Sequence, residues 1–280
     1  MDTVLQIDDQ YKKFLTRLIK EGVEELNVRT GHKTKSLPGA HFQFDLAKSF
    51  PVLTLRRVPI RIFTAEQIWF IMGSRRPDDF LREHTKIWDD FTNYGGVVTV
   101  AYGFRMRHHF GRDQLAKLIE LLTKDPSSRH GVIVFWDPAD DGLGSRKKSN
   151  VPCPYTFTVN IMGGRLNLHL IVRSNDMILG FPHDAGGFSL MAYLLAEKLG
   201  VKPGIYTHSI SNAHIYEIHY HAAEEMIKRN IPHKPIKFEA KQGYFDRAEK
   251  GDHTLVEEIT ERLQSQYHPG PPIKNLQIVL

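Results

Sequence analysis

The sequence predicts an α/β fold of the α+β type, in which a mixed β-sheet is flanked by helices. The strongest observation is a β-hairpin. Residues 156–162 and 165–172 both alternate between apolar and polar side chains, and two glycines at 163–164 form the turn between them. The second observation is the helical spacing of apolar residues over 7–26 and 184–199. No repeat, low-complexity tract or long linker interrupts the chain, so we predict one domain over residues 1–280.

The first half of the chain is predicted to contain three helices and one strand. The helices cover 7–26, 64–73 and 113–123, and the strand covers 40–46, after a basic, glycine-containing loop at 27–35. Thr64 is a natural N-cap because its hydroxyl can accept a hydrogen bond from a free amide of the first turn. Glu66 would then lie in that first turn, where the helix dipole stabilises a carboxylate.

The second half is predicted to combine short strands with helices. Residues 131–136 form a short buried strand in this prediction, and a charged loop at 140–150 leads to the hairpin. Asp184 is the predicted N-cap of the helix over 184–199, which Gly200 ends. The remaining predicted elements are strands at 205–210 and 235–239 and helices at 213–229 and 253–264.

Composition excludes several classes of protein. Hydrophobic residues make up 41% and charged residues 25% of the chain, which is ordinary for a globular protein. A single cysteine excludes an intrachain disulfide framework and a cysteine-based zinc cluster. There is no signal-peptide pattern and no apolar run near the ~20 residues that span a bilayer, so we expect a soluble, cytoplasmic protein without a membrane partner. The net charge of +5 is scattered along the chain, which favours a small phosphorylated substrate over a nucleic acid.

The only cysteine, Cys153, lies between two prolines at the start of the hairpin. In unbroken register, the two-residue turn places 154 opposite Arg173 and Cys153 opposite Ser174, so that the thiol lies beside a guanidinium. A neighbouring cation lowers the pKa of a thiol and makes it a better nucleophile. The alternative is a small buried hydrophobic residue, but Arg173 and Asp176 would be costly neighbours in an apolar slot. We therefore predict a reactive thiol.

A series of short motifs occurs in one order along the chain. They are Arg29-Thr-Gly, Phe50-Pro-Val-Leu-Thr-Leu-Arg-Arg, Ala65-Glu-Gln-Ile-Trp-Phe, Ile87-Trp-Asp, Ala101-Tyr-Gly, Asp125-Pro-Ser-Ser-Arg-His, Pro152-Cys, Arg173-Ser-Asn-Asp, Leu179-Gly-Phe-Pro-His-Asp and Asn212-Ala-His-Ile-Tyr. Together they resemble the thymidylate synthase family, including its nucleotide hydroxymethylase branch. The resemblance covers nearly the whole chain and implies the fold of that family, with a homodimer formed through the sheet.

The resemblance implies covalent one-carbon chemistry on a pyrimidine nucleotide. Carbon 5 of a pyrimidine is a poor nucleophile, and addition of a thiolate at carbon 6 makes it enolate-like. Cys153 would be that nucleophile, and 5,10-methylenetetrahydrofolate would be the one-carbon donor, with no metal involved. Glu66 would organise water and move protons near the exocyclic atom of the base, and Tyr102 would help to remove the proton from carbon 5.

The resemblance also implies a phosphate site that two subunits share. Arg29, Arg173 and Ser174 would bind the nucleotide phosphate from one subunit, because several cations are needed to hold a partly buried phosphate. Arg129 would reach the same phosphate from the partner subunit, which makes a homodimer necessary. His130 is included in this site, although the family more often has a second arginine there.

Sugar and folate contacts complete the implied site. His214 and Tyr216 match the pair that bonds the sugar 3′-hydroxyl. The implied folate-side residues are Trp88, Asp176 and Gly180. Asp176 is also placed among the catalytic groups.

Asp184 stands where, by this resemblance, thymidylate synthases carry asparagine. An asparagine amide offers one donor and one acceptor, which match O4 and N3–H of uracil. A carboxylate facing O4 would set acceptor against acceptor, at about 1–3 kcal/mol for a buried unpaired group. Cytosine offers an N4 donor and a bare N3, so a carboxyl that shares one proton with N3 suits it. We therefore predict a cytidylate 5-hydroxymethylase (dCMP favoured, CMP possible), in which water captures the exocyclic methylene; Asp184 as a helix cap alone is the alternative.

Several positions depart from the family pattern. His130 and Pro154 replace an arginine and a histidine that are common in the family. His183 and the glycine pair at 186–187 are unusual beside Asp184, and residues 275–280 match the closing C-terminal segment only loosely. A thymidylate synthase that methylates deoxyuridylate therefore stays an alternative function.

Functions of other kinds have weaker support. A Cys–His hydrolase would need a partner histidine motif, and none is recognisable among the fifteen histidines. His214, His219 and His221 lack the i, i+4 spacing of a helical zinc pair. Nucleic-acid binding would use the basic stretches at 105–112 and 146–148.

Overall fold

The computed structural model describes residues 6–144, 151–232 and 234–279. Their strands form one six-stranded sheet with the order β1-β2-β6-β5-β4-β3. The strands are β1 (Val23–Asn27), β2 (His32–Asp45), β3 (Val132–Val134), β4 (Pro154–Met162), β5 (Arg165–Asp176) and β6 (Lys202–Tyr216). Neighbouring strands are antiparallel except β5 and β6, which are parallel. The predicted mixed sheet with flanking helices is confirmed.

The described residues also form eight α-helices. They are α1 (Ile7–Glu21), α2 (Ile60–Met72), α3 (Tyr102–Phe104), α4 (Gln114–Lys124), α5 (Gly180–Lys198), α6 (Tyr220–Lys228), α7 (Tyr244–Glu249) and α8 (His253–Gln264). The α5 helix packs on β5 and β6, and α2 packs on the other side of α5. Alternate residues of β5, from Leu166 to Val172, are buried, whereas Arg165, Asn167 and His169 on its opposite face are partly exposed.

The hairpin forms as predicted, with a shift at its far end. Met162 pairs with Arg165 across the two-glycine turn, which confirms the register there. A bulge between Pro154 and Thr156 moves the pairing by one residue, so Pro154 pairs with Val172 instead of Arg173. Cys153 is therefore not opposite Ser174: its carbonyl accepts a hydrogen bond of 2.9 Å from the amide of Arg173.

The parallel pair β5–β6 decides where polar residues meet. Because α5 connects these strands by a crossover, their carboxyl ends lie at the same edge of the sheet. Asp176 at the end of β5 pairs with His214 near the end of β6, and Ser174 pairs with Asn212. The start of the antiparallel strand β4, next to Cys153, reaches the same edge.

Two predicted helix N-caps are wrong. The α5 helix begins at Gly180, four residues before the predicted cap, since Pro182 is tolerated in the first turn where its missing N–H costs nothing. Asp184 lies in the second turn, so it is not the helix cap. Likewise α2 begins at Ile60 after Pro59, and Thr64 is a buried interior residue whose hydroxyl has no partner among the described groups. Glu66 consequently lies in the second turn.

The glycine pair in α5 allows this helix to lie close to α2. A β-carbon at Gly186 would come within 2.8 Å of the Phe63 ring, and one at Gly187 within 2.8 Å of the Gln67 amide. Larger residues would push the helices apart. Since Glu66 lies on α2 and Asp184 on α5, this close packing fixes the separation of the two carboxyl groups.

Other boundaries were predicted with mixed success. The helices at 113–123 and 253–264 are confirmed within one residue, and the strands at 40–46 and 205–210 lie in the longer β2 and β6, except that β2 ends at Asp45. The predicted helix at 7–26 ends at Glu21, and the remainder forms β1. Residues 213–216 belong to β6 instead of a helix, because pairing with β2 and β5 overrides local preference. No strand forms at 235–239, and α7 was not predicted.

Two further predictions concern the region before the hairpin. The strand at 131–136 is confined to Val132–Val134, where Val132 and Val134 are exposed and only Ile133 is buried, so it is an edge strand and not a buried one. Residues 145–150 of the predicted charged loop, including the basic cluster at 146–148, lie outside the described residues.

Candidate active site

A deep cleft of about 770 Å³ opens where the ends of β4, β5 and β6 meet α2 and α5. Twelve of the fourteen predicted site residues line it: Arg29, Glu66, Trp88, Tyr102, Cys153, Arg173, Ser174, Asp176, Gly180, Asp184, His214 and Tyr216. They come from segments far apart in the sequence, and only the fold brings them together. Arg129 and His130 do not line it; both are exposed after α4.

Cys153 lies in the floor of the cleft, held by contacts on both sides. Its amide donates a hydrogen bond of 3.1 Å to the hydroxyl oxygen of Tyr102, and Arg173 Nη2 lies 3.7 Å from Sγ. The remaining donors of Arg173 bind the backbone before the cysteine, with Nε 2.8 Å from the Pro152 carbonyl and Nη2 3.0 Å from that of Val151. Arg173 therefore fixes the loop that carries the thiol.

The prediction of a lowered thiol pKa is wrong for the protein without substrate. Burial raises the pKa of Cys153, and the charges of Arg173 and Arg29 oppose this only in part. Asp184 adds to the increase. Burial also raises the pKa of Tyr102 well above its usual value, so the phenol that touches the Cys153 amide is neutral.

Glu66 is held by two side chains that also line the cleft. Trp88 Nε1 donates to Oε1 over 2.7 Å, and His183 Nε2 lies 2.9 Å from Oε2. Burial disfavours the imidazolium form of His183, but the adjacent Glu66 carboxylate outweighs burial and raises the pKa of His183. The sequence marked His183 only as a departure from the family pattern. Its role as a partner of Glu66 needed the spatial proximity of α5 and α2.

Asp184 is the second carboxyl in this part of the cleft. Its Oδ2 accepts a hydrogen bond of 2.9 Å from Asn175 Nδ2. Burial raises the pKa of Asp184 to about 7, with His183 opposing and Glu66 adding to the increase. Asp184 can therefore hold a proton at neutral pH, which an exposed aspartate cannot.

The opposite end of the cleft carries cations and neutral polar groups. Arg29 lies in the turn between β1 and β2, and its side chain is exposed. Ser174 Oγ is 3.4 Å from His214 Nδ1, and the rings of His214 and Tyr216 meet edge to face with centroids 5.0 Å apart. Burial lowers the pKa of His214 to about 4, so this imidazole is a neutral hydrogen-bonding group.

A family comparison identifies the architecture around this cleft. The family model described as thymidylate synthase matches residues 9–275. The chain belongs to the thymidylate synthase family. Its reaction class is accordingly the folate-dependent transfer of a one-carbon unit to a pyrimidine nucleotide.

The cleft of this thymidylate synthase family member has a side suited to a folate. Ile87, Trp88, Phe91 and Leu179 give the cleft an apolar lining, in which the rings of Trp88 and Phe91 meet with centroids 5.4 Å apart. Such an aromatic and aliphatic lining suits a flat, ring-containing molecule. The residues present therefore fit methylenetetrahydrofolate as the co-substrate that the family uses.

The other predicted folate-side residues, Asp176 and Gly180, also line the cleft. Oδ1 of Asp176 accepts a hydrogen bond of 2.8 Å from the Ile178 amide, and burial raises the pKa of Asp176 to about 6. Gly180 is the first residue of α5, and a β-carbon there would come within 2.9 Å of Asn175 Nδ2. Gly180 is thus close to the base-side network as well as to the cleft.

The alternative sites have little structural support. Arg105 is completely buried and paired with Asp141, and Arg107 binds Asp113 and Glu249, so two cations of the basic stretch 105–112 face carboxylates and not solvent.

Within the described ranges, no group of three or more His, Cys, Asp or Glu residues could hold a metal ion. In that same part of the chain, no helix is long and apolar enough to cross a membrane.

Proposed function

We propose that this member of the thymidylate synthase family is a cytidylate 5-hydroxymethylase, with dCMP as the favoured substrate and CMP as a possible one. The observation that carries the proposal is the buried carboxyl of Asp184, where the family's thymidylate synthases carry an asparagine amide. Asp184 lies in the second turn of α5 and not at its cap, so no helix-capping requirement explains the carboxyl.

The chemistry of Asp184 supports cytosine as the base. Because burial raises its pKa to about 7, the side chain can donate one proton to N3 and accept a hydrogen bond from the N4 amino group. The ionised form of this carboxyl would leave O4 of uracil without a donor, at about 1–3 kcal/mol, and the protonated form favours cytosine when the oxygen that faces N3 carries the proton. Protonation at N3 also makes carbon 6 more electrophilic, which helps the thiolate to add.

The proposed covalent steps balance without an oxidant or reductant. The Cys153 thiol gives up its proton to water as Sγ forms a bond to carbon 6, and carbon 5 then forms a bond to the one-carbon unit supplied by 5,10-methylenetetrahydrofolate. The carbon 5 proton leaves with help from Tyr102, and tetrahydrofolate is released. Water adds to the exocyclic methylene while the Cys153–carbon 6 bond breaks, giving a 5-hydroxymethyl group. The hydrogen-bonded oxygens of Glu66 lie in the same cleft and are proposed to orient that water.

The proposed nucleotide pose places the phosphate at the cationic end. Arg29, Arg173 and Ser174 are proposed to bind the phosphate, with His214 and Tyr216 at the sugar. Asp176, Trp88 and Gly180 keep their proposed positions on the folate side.

We also propose a homodimer whose two active sites are shared. Arg129 and His130 are exposed and do not line the cleft of their own chain. A second subunit packed on the open face of the sheet could present Arg129 to the phosphate of its neighbour. This arrangement accounts for two predicted phosphate residues that one chain leaves outside its own site.

One incubation tests the function. The protein is mixed with methylenetetrahydrofolate and equal amounts of deoxycytidylate, cytidylate and deoxyuridylate, and the nucleotide products are identified by mass. A hydroxymethyl group on a cytosine nucleotide, with tetrahydrofolate released, supports the proposal and identifies the sugar. A methyl group on deoxyuridylate, with dihydrofolate formed, would instead show a thymidylate synthase and overturn it.

A further inference from the structure

Behind Asp184, four side chains form one continuous hydrogen-bonded chain, the Tyr206–Asp184 chain. The Tyr206 hydroxyl lies 2.9 Å from His208 Nδ1, and His208 Nε2 lies 3.1 Å from Asn175 Oδ1. Asn175 Nδ2 lies 2.9 Å from Asp184 Oδ2. Tyr206 and His208 are completely buried and Asn175 is 4% exposed, so water does not compete for these bonds.

The atoms that face one another give each bond in this chain a direction. The carbonyl oxygen of Asn175 can only accept, so His208 donates to it from Nε2. Burial lowers the pKa of His208 to about 3, and its ring packs against Phe181 with centroids 5.0 Å apart. A neutral imidazole with its proton on Nε2 has a bare Nδ1, which accepts from Tyr206. The amide of Asn175 is thereby left to donate to Asp184 Oδ2.

The Asn175 amide lies in space that Gly180 leaves open. A β-carbon at Gly180 would come within 2.9 Å of Asn175 Nδ2, so the absence of a side chain at 180 leaves just enough space for the amide. Asn175 is also on β5, where its backbone pairs with Ala213 of β6. Strand pairing therefore fixes the backbone of Asn175, and the hydrogen bonds to His208 and Asp184 orient its amide.

A protonated carboxyl by itself does not distinguish cytosine from uracil. With the proton on one oxygen it donates to N3 and accepts from N4 of cytosine. With the proton on the other oxygen it donates to O4 and accepts from N3–H of uracil. The donor from Asn175 breaks this symmetry, because an oxygen that already accepts a hydrogen bond is the poorer site for the proton.

We propose that the Tyr206–Asp184 chain is a specificity-determining device, in which Asn175 and His208 hold the Asp184 proton on Oδ1 and so decide which pyrimidine the cleft accepts. Asn175 and His208 are positioning residues, since they act through Asp184. The inference shares one assumption with the proposed function, namely that Asp184 faces the base. It does not depend on which base is preferred.

The test compares three variants by the ratio of kcat/KM for deoxycytidylate to that for deoxyuridylate. In His208→Phe the Asn175 carbonyl loses its donor, and we expect the ratio to move toward one by roughly tenfold or more, the effect of losing one strong hydrogen bond. In His208→Gln the amide can donate to Asn175 and accept from Tyr206, so we expect the wild-type ratio to be retained. Tyr206→Phe keeps the aromatic packing and the hydrogen bond between His208 and Asn175. It serves as the matched control, and we expect only a small change in its ratio.

The outcomes separate this inference from the proposed function. A wild-type preference for deoxyuridylate would overturn the cytosine assignment, whereas a collapsed ratio in His208→Phe would still support the chain. An unchanged ratio in a folded His208→Phe overturns the inference. If that variant does not fold, Gly180→Ala displaces the Asn175 amide from outside the core, and the ratio must again move toward one. An unchanged ratio there overturns the inference as well.

Discussion

His183 Nε2 lies 2.9 Å from Oε2 of Glu66, and this contact joins α5 to α2. It leaves Glu66 with a donor on each carboxylate oxygen, since Trp88 binds the other one. The neighbour of His183 in sequence is Asp184, so one turn of α5 carries both the partner of Glu66 and the proposed base-selecting group. The cleft thus holds Glu66, His183 and Asp184 within one short region.

Replacement of His183 should impair turnover more than binding. In His183→Phe, Glu66 loses a hydrogen-bond partner. A hydrogen bond to a charged group is worth about 1.5–3 kcal/mol, so we expect kcat to fall roughly tenfold to a hundredfold. KM for the nucleotide should change little, because the phosphate and sugar residues are untouched. Steady-state kinetics check this, with His183→Gln as the control that keeps a donor. A His183→Phe enzyme with wild-type kcat would mean that Trp88 alone positions Glu66.

Loss of the thiol should separate chemistry from binding. Cys153→Ser keeps the size of the side chain and the amide bond to Tyr102, but a serine hydroxyl is not ionised in this site. We expect turnover to be abolished while nucleotide affinity, measured by calorimetric titration, stays within about tenfold of wild type. Product formation by the variant at more than trace levels would remove Cys153 from the mechanism.

The base preference should follow the chemistry at position 184. Asp184→Asn replaces the carboxyl with an amide that offers one donor and one acceptor, which match uracil. We expect kcat/KM for deoxyuridylate to rise relative to that for deoxycytidylate by about ten- to a hundredfold, corresponding to one or two exchanged hydrogen bonds. Competition between the two nucleotides in one reaction, with products separated by mass, measures this ratio. If it does not move, Asp184 does not face the base.

The same substitution should change how stability depends on pH. The pKa of Asp184 is raised to about 7, so the folded protein keeps a proton that the unfolded chain has released above its usual pKa of 3.8. The free energy of unfolding therefore falls as pH rises from about 4 to about 7, by up to about 4 kcal/mol from this group. In Asp184→Asn this contribution is absent. Urea unfolding of both proteins across this pH range should show wild type losing stability relative to the variant; parallel curves would contradict the raised pKa.

Shared active sites predict complementation between two inactive variants. Cys153→Ser lacks the nucleophile, and Arg129→Ala lacks the proposed contribution to the partner's phosphate site. If the two are mixed equally, unfolded and refolded together, half of the dimers are mixed and each of these has one intact site. Activity should return to about a quarter of wild type. Activity no higher than the sum of the separate variants would place Arg129 outside the partner's site, and a monomer by sedimentation would exclude sharing.

Local patterns were sufficient to predict the hairpin and two helices. The alternation around the glycine turn predicted the pairing of Met162 with Arg165, and the helices at 113–123 and 253–264 are correct within one residue. These elements depend on contacts between residues near one another in sequence. The starts of α2 and α5 were missed because both helices are buried on nearly all sides, so tertiary packing and not a polar cap sets their ends.

By itself, the sequence determined the family and therefore the reaction class. The order of the motifs identifies the thiol, the cations and the carboxyls, and this identification does not need the distances between them in the fold. Only the tertiary structure decided how these groups act on one another. The bulge at Pro154 places Cys153 against the Arg173 backbone. Burial raises the pKa of the thiol, whereas the sequence predicted a lowered one. The bonds from His183 to Glu66 and from Asn175 to Asp184 likewise depend on helix packing and on the parallel β5–β6 pair. Burial and hydrogen bonding act through space, and a linear pattern does not contain them.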